Sequence, residues 1–263
     1  MSTMKCSEIL EKFEKDFPEN AAEEWDNPGL LAGRRDSEIR TVYVTLDVTD
    51  EAVADAVSAG ADLIVSHHPL IFSPVRRVTD EDRIGRRMLM MIEHHIACLA
   101  AHTNFDVRKM ADLNEEQLGL KNTEVLMVTG ERDGLPEGIG RVGEVPKEMT
   151  LSSFCERVKA ALSVPSVLCY GDADRTIRRA AVSGGSGKSV IGDAKKKRAD
   201  VIVTGDIDYH TAIDSVADGL ALIDAGHYGT EYCFIDYMAG YFEKNFPELT
   251  VRKAKIHHPY QVY

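Results

Sequence analysis

The sequence predicts an α/β fold made of two repeated halves, each organised around a largely parallel sheet. Three observations predict it. Short apolar runs alternate with helical stretches, the alternation occurs twice, and the second occurrence matches the first at a fixed spacing. Shifting the chain by 138 residues lays Val42–His68 on Ala180–Asp206 without a gap. Seven of the 27 pairs are identical, including Ala61-Asp62 on Ala199-Asp200 and Ile64-Val65 on Ile202-Val203. Strands separated by single helices are joined by right-handed crossovers, so neighbouring strands run parallel. A length of 263 residues suits one large domain or two intimately packed ones. The expected halves are 1–124 and 125–263.

The elements follow in order. Cys6, Ile9, Leu10 and Phe13 fall at helical spacing, and Pro18 lies beyond the end of that helix. The polar stretch Glu23–Gly29 is a loop leading into the apolar Leu30-Leu31-Ala32. Val42–Leu46 is a buried strand, Asp50–Ala59 a helix closed by Gly60, and Leu63–Val65 a second strand. A helix over Ile84–His95, a strand over Ile96–Ala101 and a helix near Asp112–Leu118 complete the first copy. The Gly-rich segment from Glu124 to Lys147, with alternating Val and Ile, predicts edge strands and turns. The second copy repeats strand, helix and strand through Val201–Val203, then continues to a strand at Leu220–Asp224.

Composition narrows the setting. Lys and Arg number 31 against 43 Asp and Glu, a net charge of −12. Nucleic-acid binders present a basic face, so a nucleic-acid partner is not expected. The longest basic block, Lys195–Arg198, reads as a solvated helix C-terminus. Five scattered cysteines without a CxxC pair point to a reducing compartment and away from a disulfide framework or thiolate zinc site. No apolar leader opens the chain, and no apolar run reaches the ~18 residues of a membrane span. A cytoplasmic protein with no membrane partner is expected.

In open α/β sheets ligands bind beyond the carboxyl ends of the strands. Those ends carry Ser66-His67-His68-Pro69, His102-Thr103-Asn104-Phe105-Asp106, Thr204-Gly205-Asp206 with Tyr209-His210 close behind, and Asp224–Glu231. At a strand end the backbone curls, so His67 and His68 can both turn to the rim, each towards its own ion. His227 and Glu231 lie four apart, bracketed by Gly226 and Gly229. Thr230 is a candidate N-cap, which would put Glu231 in a first helical turn, where the helix dipole favours its ionised form and suits it to bridge. Three imidazoles and two carboxylates, without sulfur, suit zinc, manganese or iron(II). Two ions sharing a carboxylate are an arrangement that activates water for hydrolysis. His94-His95 close a helix and His257-His258 lie near the chain end; both pairs read as structural or solvated. The segment Val182–Ser189 ends like a Walker A loop, but Val182 stands where the pattern needs Gly, so a tight turn whose amides can hold an anion is expected there.

Five motifs in this order resemble the Nif-three-like family, whose bacterial members are called GTP cyclohydrolase 1 type 2 homologues. They are Trp25-Asp26-Asn27-Pro28-Gly29-Leu30, Ser66–Phe72, His102–Asp106, Thr204-Gly205-Asp206 and Gly226–Glu231. The resemblance implies a duplicated α/β fold with mixed sheets, a dinuclear metal centre, and a toroidal homohexamer whose sites face an inner cavity. It also implies that His68 and Asp106 hold one ion, His67 and His227 the other, and that Glu231 bridges them. The short stretch between the halves implies that the inserted domain of longer family members is absent here.

Two functions compete. One is a dinuclear metal hydrolase acting on a nucleotide-like or phosphate-bearing small molecule, with GTP ring opening as the named candidate. The other is a metal-binding scaffold without turnover. His102, Asp206 and His210 on the same rim separate them, because a purely structural centre needs no spare acid–base groups. Those three are the expected catalytic residues, although orienting the ligands is an equal alternative for them.

Overall fold

The computed structural model describes residues 3–262. Its chain opens with β1 (Met4–Lys5) and α1 (Cys6–Asp16), followed by β2 (Gly29–Ala32), β3 (Glu38–Ile39) and β4 (Thr41–Thr45). Next come α2 (Asp50–Ser58), β5 (Leu63–Ser66), α3 (Arg83–Glu93) and β6 (Ala97–Ala100). α4 (Thr103–Phe105) runs through a π-helical turn, Asp106–Met110, into α5 (Ala111–Leu118). β7 (Lys121–Arg132), β8 (Leu135–Thr150), α6 (Leu151–Ala161), β9 (Leu168–Tyr170) and β10 (Thr176–Ser186) follow. The rest is α7 (Ile191–Lys196), β11 (Val201–Gly205), α8 (Tyr209–Ala217), β12 (Ala221–Asp224), α9 (His227–Glu231), α10 (Cys233–Asn245) and β13 (Thr250–Lys253).

Two compact units divide the chain. The first runs to Phe105 and resumes over Tyr232–Ile256; the second covers Asp106–Glu231 and resumes at His257. This is a division by packing, whereas 1–124 and 125–263 divide the chain by sequence repeat. Packing takes α10 and β13 into the first unit because β13 adds to its sheet, in parallel register with β4.

The first unit has the strand order β13-β4-β5-β6-β2, parallel except for the antiparallel edge strand β2. β5 and β6 are buried along their whole length, which is why they read as unbroken apolar runs. Thr49 caps α2 by accepting from the Ala52 amide at 3.0 Å, and Asp82 caps α3 by accepting from Gly85 at 2.8 Å. Val53, Ile64, Met91 and Cys98 are fully buried between the sheet and these helices. His94 ends α3 and His95 takes a left-handed φ of 59°, so this pair closes the helix as expected.

The second unit orders its strands β7-β8-β10-β11-β12-β9. Only β10, β11 and β12 are parallel; the β7–β8 hairpin and β9 are antiparallel additions at the two edges. Apolar clusters form within the unit around Phe154 and Val203 and around Ile202 and Leu222.

The repeat is visible in register. Val42, Tyr43 and Val44 pair with Leu63, Ile64 and Val65, while Ala180, Ala181 and Val182 pair with Val201, Ile202 and Val203. The shared Asp explains part of the sequence match. Asp62 Oδ2 accepts from the amides of Arg40 (2.8 Å) and Thr41 (2.9 Å), and Asp200 Oδ2 does the same for Arg178 (2.8 Å) and Arg179 (2.9 Å). Each clamp sits where the parallel pairing of two strands begins, at Val42–Leu63 in the first copy and Ala180–Val201 in the second. Among the described residues, no helix is long and apolar enough to cross a membrane.

Candidate metal centre

In the first unit, His67 and His68 leave β5 at its carboxyl end. The backbone there is held by the Ser66 hydroxyl, which donates to the His68 carbonyl at 2.8 Å. His67 is fully buried, and its Nδ1 donates to the Ala101 carbonyl at 2.7 Å, which sets the tautomer and turns Nε2 into the lone-pair nitrogen. His68 Nδ1 lies 2.8 Å from Asp47 Oδ1, and His102 Nδ1 lies 2.7 Å from Asp26 Oδ1. The three rings face one another with centroids 5.0 to 5.6 Å apart. One ring nitrogen from each lies within 4.8 Å of the others, as metal-holding imidazoles require. Asp26 also accepts from the Thr103 amide at 3.0 Å. Burial alone would raise the Asp26 pKa, but its bonds to His102 and Thr103 outweigh burial and hold it at about 2.

In the second unit, Asp106 opens the π-helical turn, a distortion found frequently at functional sites. His227 Nδ1 lies 2.8 Å from Asp206 Oδ2, and its Nε2 lies 3.2 Å from Glu231 Oε2, a buried carboxylate. Asp206 itself takes a left-handed φ of 55° directly after β11. Thr230 is not an N-cap. It lies inside α9, where its hydroxyl donates to the His227 carbonyl at 2.8 Å and accepts from the Gly185 amide at 3.0 Å. Glu231 therefore ends α9 rather than starting a helix, so the dipole argument for its ionised form does not apply. His210 sits exposed in the first turn of α8 with its ring against Tyr209. It belongs to no cluster of three ligand-bearing side chains among the described residues.

The Walker-like segment has a different use from a phosphate loop. Gly184 and Gly185 end β10 beside Glu231, and a Cβ on Gly185 would press on Glu231 Oε1 and lie 3.2 Å from His227 Nε2. The glycine thus makes room for the candidate ligands. Lys188 forms an ion pair with Asp208 at 2.8 Å.

Asp26, Asp47 and Gly185 hold positions at the site that no motif spacing in the sequence marks. Asp47 follows the end of β4, so its signal in the sequence is the same strand-end position that marks His67 and His102. Asp26 stood within a recognised motif but carried no spacing signal of its own.

Four of the five candidate histidines, His67, His68, His102 and His227, share one pattern that His210 lacks: Nδ1 is tied to an oxygen acceptor and Nε2 points elsewhere. Metal-binding imidazoles are oriented in this way. The pair His227–Glu231 fits a cation most directly. With Nδ1–H committed to Asp206, the Nε2 lone pair and a carboxylate oxygen face each other, and two acceptors at 3.2 Å repel unless a proton or a cation joins them.

The model of the Duf34/NIF3 (NGG1p interacting factor 3) family matches residues 4–259. A Clostridium perfringens protein named GTP cyclohydrolase 1 type 2 homolog is 37% identical over 231 residues, covering 87% of each chain. The crystal structure of a Bacillus cereus protein related to NIF3 superposes with a TM-score of 0.91 at 27% identity, over 100% of both chains. That of the Staphylococcus aureus hypothetical protein SA1388 gives 0.89 at 30% identity, again over 100% of both.

Proposed function

Because this chain belongs to the Duf34/NIF3 family, we propose that it is a metal-dependent hydrolase of nucleotide-like or phosphate-bearing small molecules. In this reading His68 and Asp106 hold one divalent ion, His67 and His227 hold a second, and Glu231 bridges. The donors are nitrogen and oxygen only, which favours zinc, manganese or iron(II). Two such ions supply Lewis acidity and an activated water for hydrolysis.

The observation that carries the proposal is the facing pair His227 Nε2 and Glu231 Oε2. Around it, the chain's own groups have separate tasks. Asp26 holds His102 so that its second nitrogen can take or give a proton at the substrate. Asp206 orients His227, and Asp47 orients His68. His210 keeps its proposed acid–base role only if substrate reaches the first turn of α8.

The name borne by the Clostridium perfringens relative makes GTP the first compound to test. Purified protein loaded with zinc, manganese or iron(II) is screened against GTP and phosphate esters. Turnover that disappears on chelation and returns with metal supports the reading; loaded protein that turns over none of them contradicts it. The proposal includes a toroidal homohexamer in a reducing, cytoplasmic setting. Light scattering is expected to give six times 29 kDa, and a stable monomer at micromolar concentration contradicts the ring.

A second reading, a scaffold without turnover, has one observation in its favour. A protonated His227 between Asp206 and Glu231 forms a self-contained ion-paired triad that would brace α9 with no ion bound.

A further inference from the structure

A cavity of about 400 Å³ lies beside His68 in the first unit, lined also by Asp47, Phe72, Arg83 and Arg87. That volume lies in the range of small-molecule sites. Its chemistry is uneven. Arg83 and Arg87 lie one turn apart on α3 and share a face of it. Arg87 Nε donates to Asp50 Oδ1 at 2.7 Å, and Arg86 takes Asp50 Oδ2 at 2.7 Å, so one carboxylate serves two guanidiniums. Arg83 is exposed and has no carboxylate partner among the described residues. Asp47, the acidic group on the wall, is engaged with His68. Arg83 is thus the guanidinium of the lining left without a carboxylate in ion-pair contact among the described residues.

The lining also carries an aromatic ring, Phe72, backed by Trp25 outside the lining. Phe72 is 55% exposed and touches Trp25, which is 58% exposed, with ring centroids 5.8 Å apart. Both rings also reach His102, at 6.4 and 6.0 Å. These exposed rings are not loose. Asp26 is tied to His102 and Thr103, and the Asn27 amide donates to the Ile71 carbonyl at 2.6 Å, so each ring is anchored by its chain neighbour. Two large aromatics held in place and left in water form a surface for stacking a planar ring.

We propose that this cavity is a binding site for a planar heteroaromatic molecule carrying a phosphate, with Phe72, backed by Trp25, meeting the ring and Arg83 and Arg87 holding the anion. Arginine forks suit phosphate in this role. The inference rests on the hydrolase reading only in placing the substrate's reacting bond near His67 and His68; binding itself needs no ion.

Trp25 is the one tryptophan of the sequence, so its fluorescence reports on the stacking wall without labelling. Whole protein, chelator-treated and separately metal-loaded, is titrated with guanosine monophosphate, guanosine and inorganic phosphate. Saturable quenching by the nucleotide is expected in both forms, with guanosine, and phosphate read by competition with the nucleotide, each at least about tenfold weaker. Arg83→Gln, an exposed change that leaves the core untouched, should weaken the nucleotide about tenfold while sparing guanosine. Phe72→Ala should weaken nucleotide and guanosine alike. Absence of saturable quenching in both forms, or full nucleotide affinity in Arg83→Gln, overturns the inference. Binding without turnover of any compound leaves this site standing and removes the hydrolase reading. Turnover that is indifferent to Arg83→Gln does the reverse.

Discussion

His227 holds two carboxylates at once: its Nδ1 lies 2.8 Å from Asp206 and its Nε2 lies 3.2 Å from Glu231. One imidazole cannot donate from both nitrogens while neutral. Either the ring is charged, or a cation stands where the second proton would be. Glu231→Gln separates these cases. The glutamine amide can donate to Nε2, so the metal-free variant should melt at or above the parent's temperature. Its metal affinity should fall further than the roughly 10–100-fold typical of losing an outer partner. Calorimetric metal titration and thermal melts of the chelated proteins check both halves.

Gly185→Ala tests the cradle around that pair. The residue has φ of +63°, and the added methyl would press on Glu231 Oε1. A destabilisation of about 1–3 kcal/mol is expected from the strained backbone, together with loss of bound metal. Gly192→Ala, in open space on α7, is the control and should keep both stability and metal. Urea melts and elemental analysis decide.

Asp26 gives an acid-limb signature. Its pKa is held at about 2 against an ordinary 3.8, burial being outweighed by its bonds to His102 and Thr103. A depressed carboxylate contributes stability above its unfolded pKa and loses it as pH falls through the folded one. The stability difference between the parent and Asp26→Asn should be constant above about pH 4 and shrink as pH falls towards 2. A constant difference throughout that window contradicts the assignment.

Cysteine reactivity should follow burial. Burial pushes the Cys98 thiol up to about 12, and burial with a hydrogen bond to Cys169 does the same for Cys155. Cys169 is exposed on β9. Alkylation of native protein at pH 8, read by peptide mass spectrometry, should mark Cys169 first and reach Cys98 only on unfolding.

Much of this was legible in the letters, for reasons the structure makes concrete. Ala61-Asp62 and Ala199-Asp200 match because each Asp clamps two amides where a parallel strand pairing begins, a role few other side chains can fill. His67, His102 and His227 were legible because strands deliver them to sheet ends, where functional groups collect. Thr230 misled because a Thr before an acidic residue has the same local pattern whether it caps a helix or lies within one. The return of α10 and β13 to the first sheet is a long-range pairing with β4, and local periodicity carries no record of it. The glycines at 184 and 185 looked like a phosphate loop because both uses demand a backbone without a side chain, and only the position of Glu231 tells them apart.

The most direct test is the number of ions bound per chain. Protein loaded at neutral pH with zinc or manganese and freed of excess metal should retain two ions per 263-residue chain by elemental analysis. Glu231→Gln should retain fewer. One ion or none in the parent after repeated loading contradicts the dinuclear centre and leaves His227, Asp206 and Glu231 as a structural ion-paired triad.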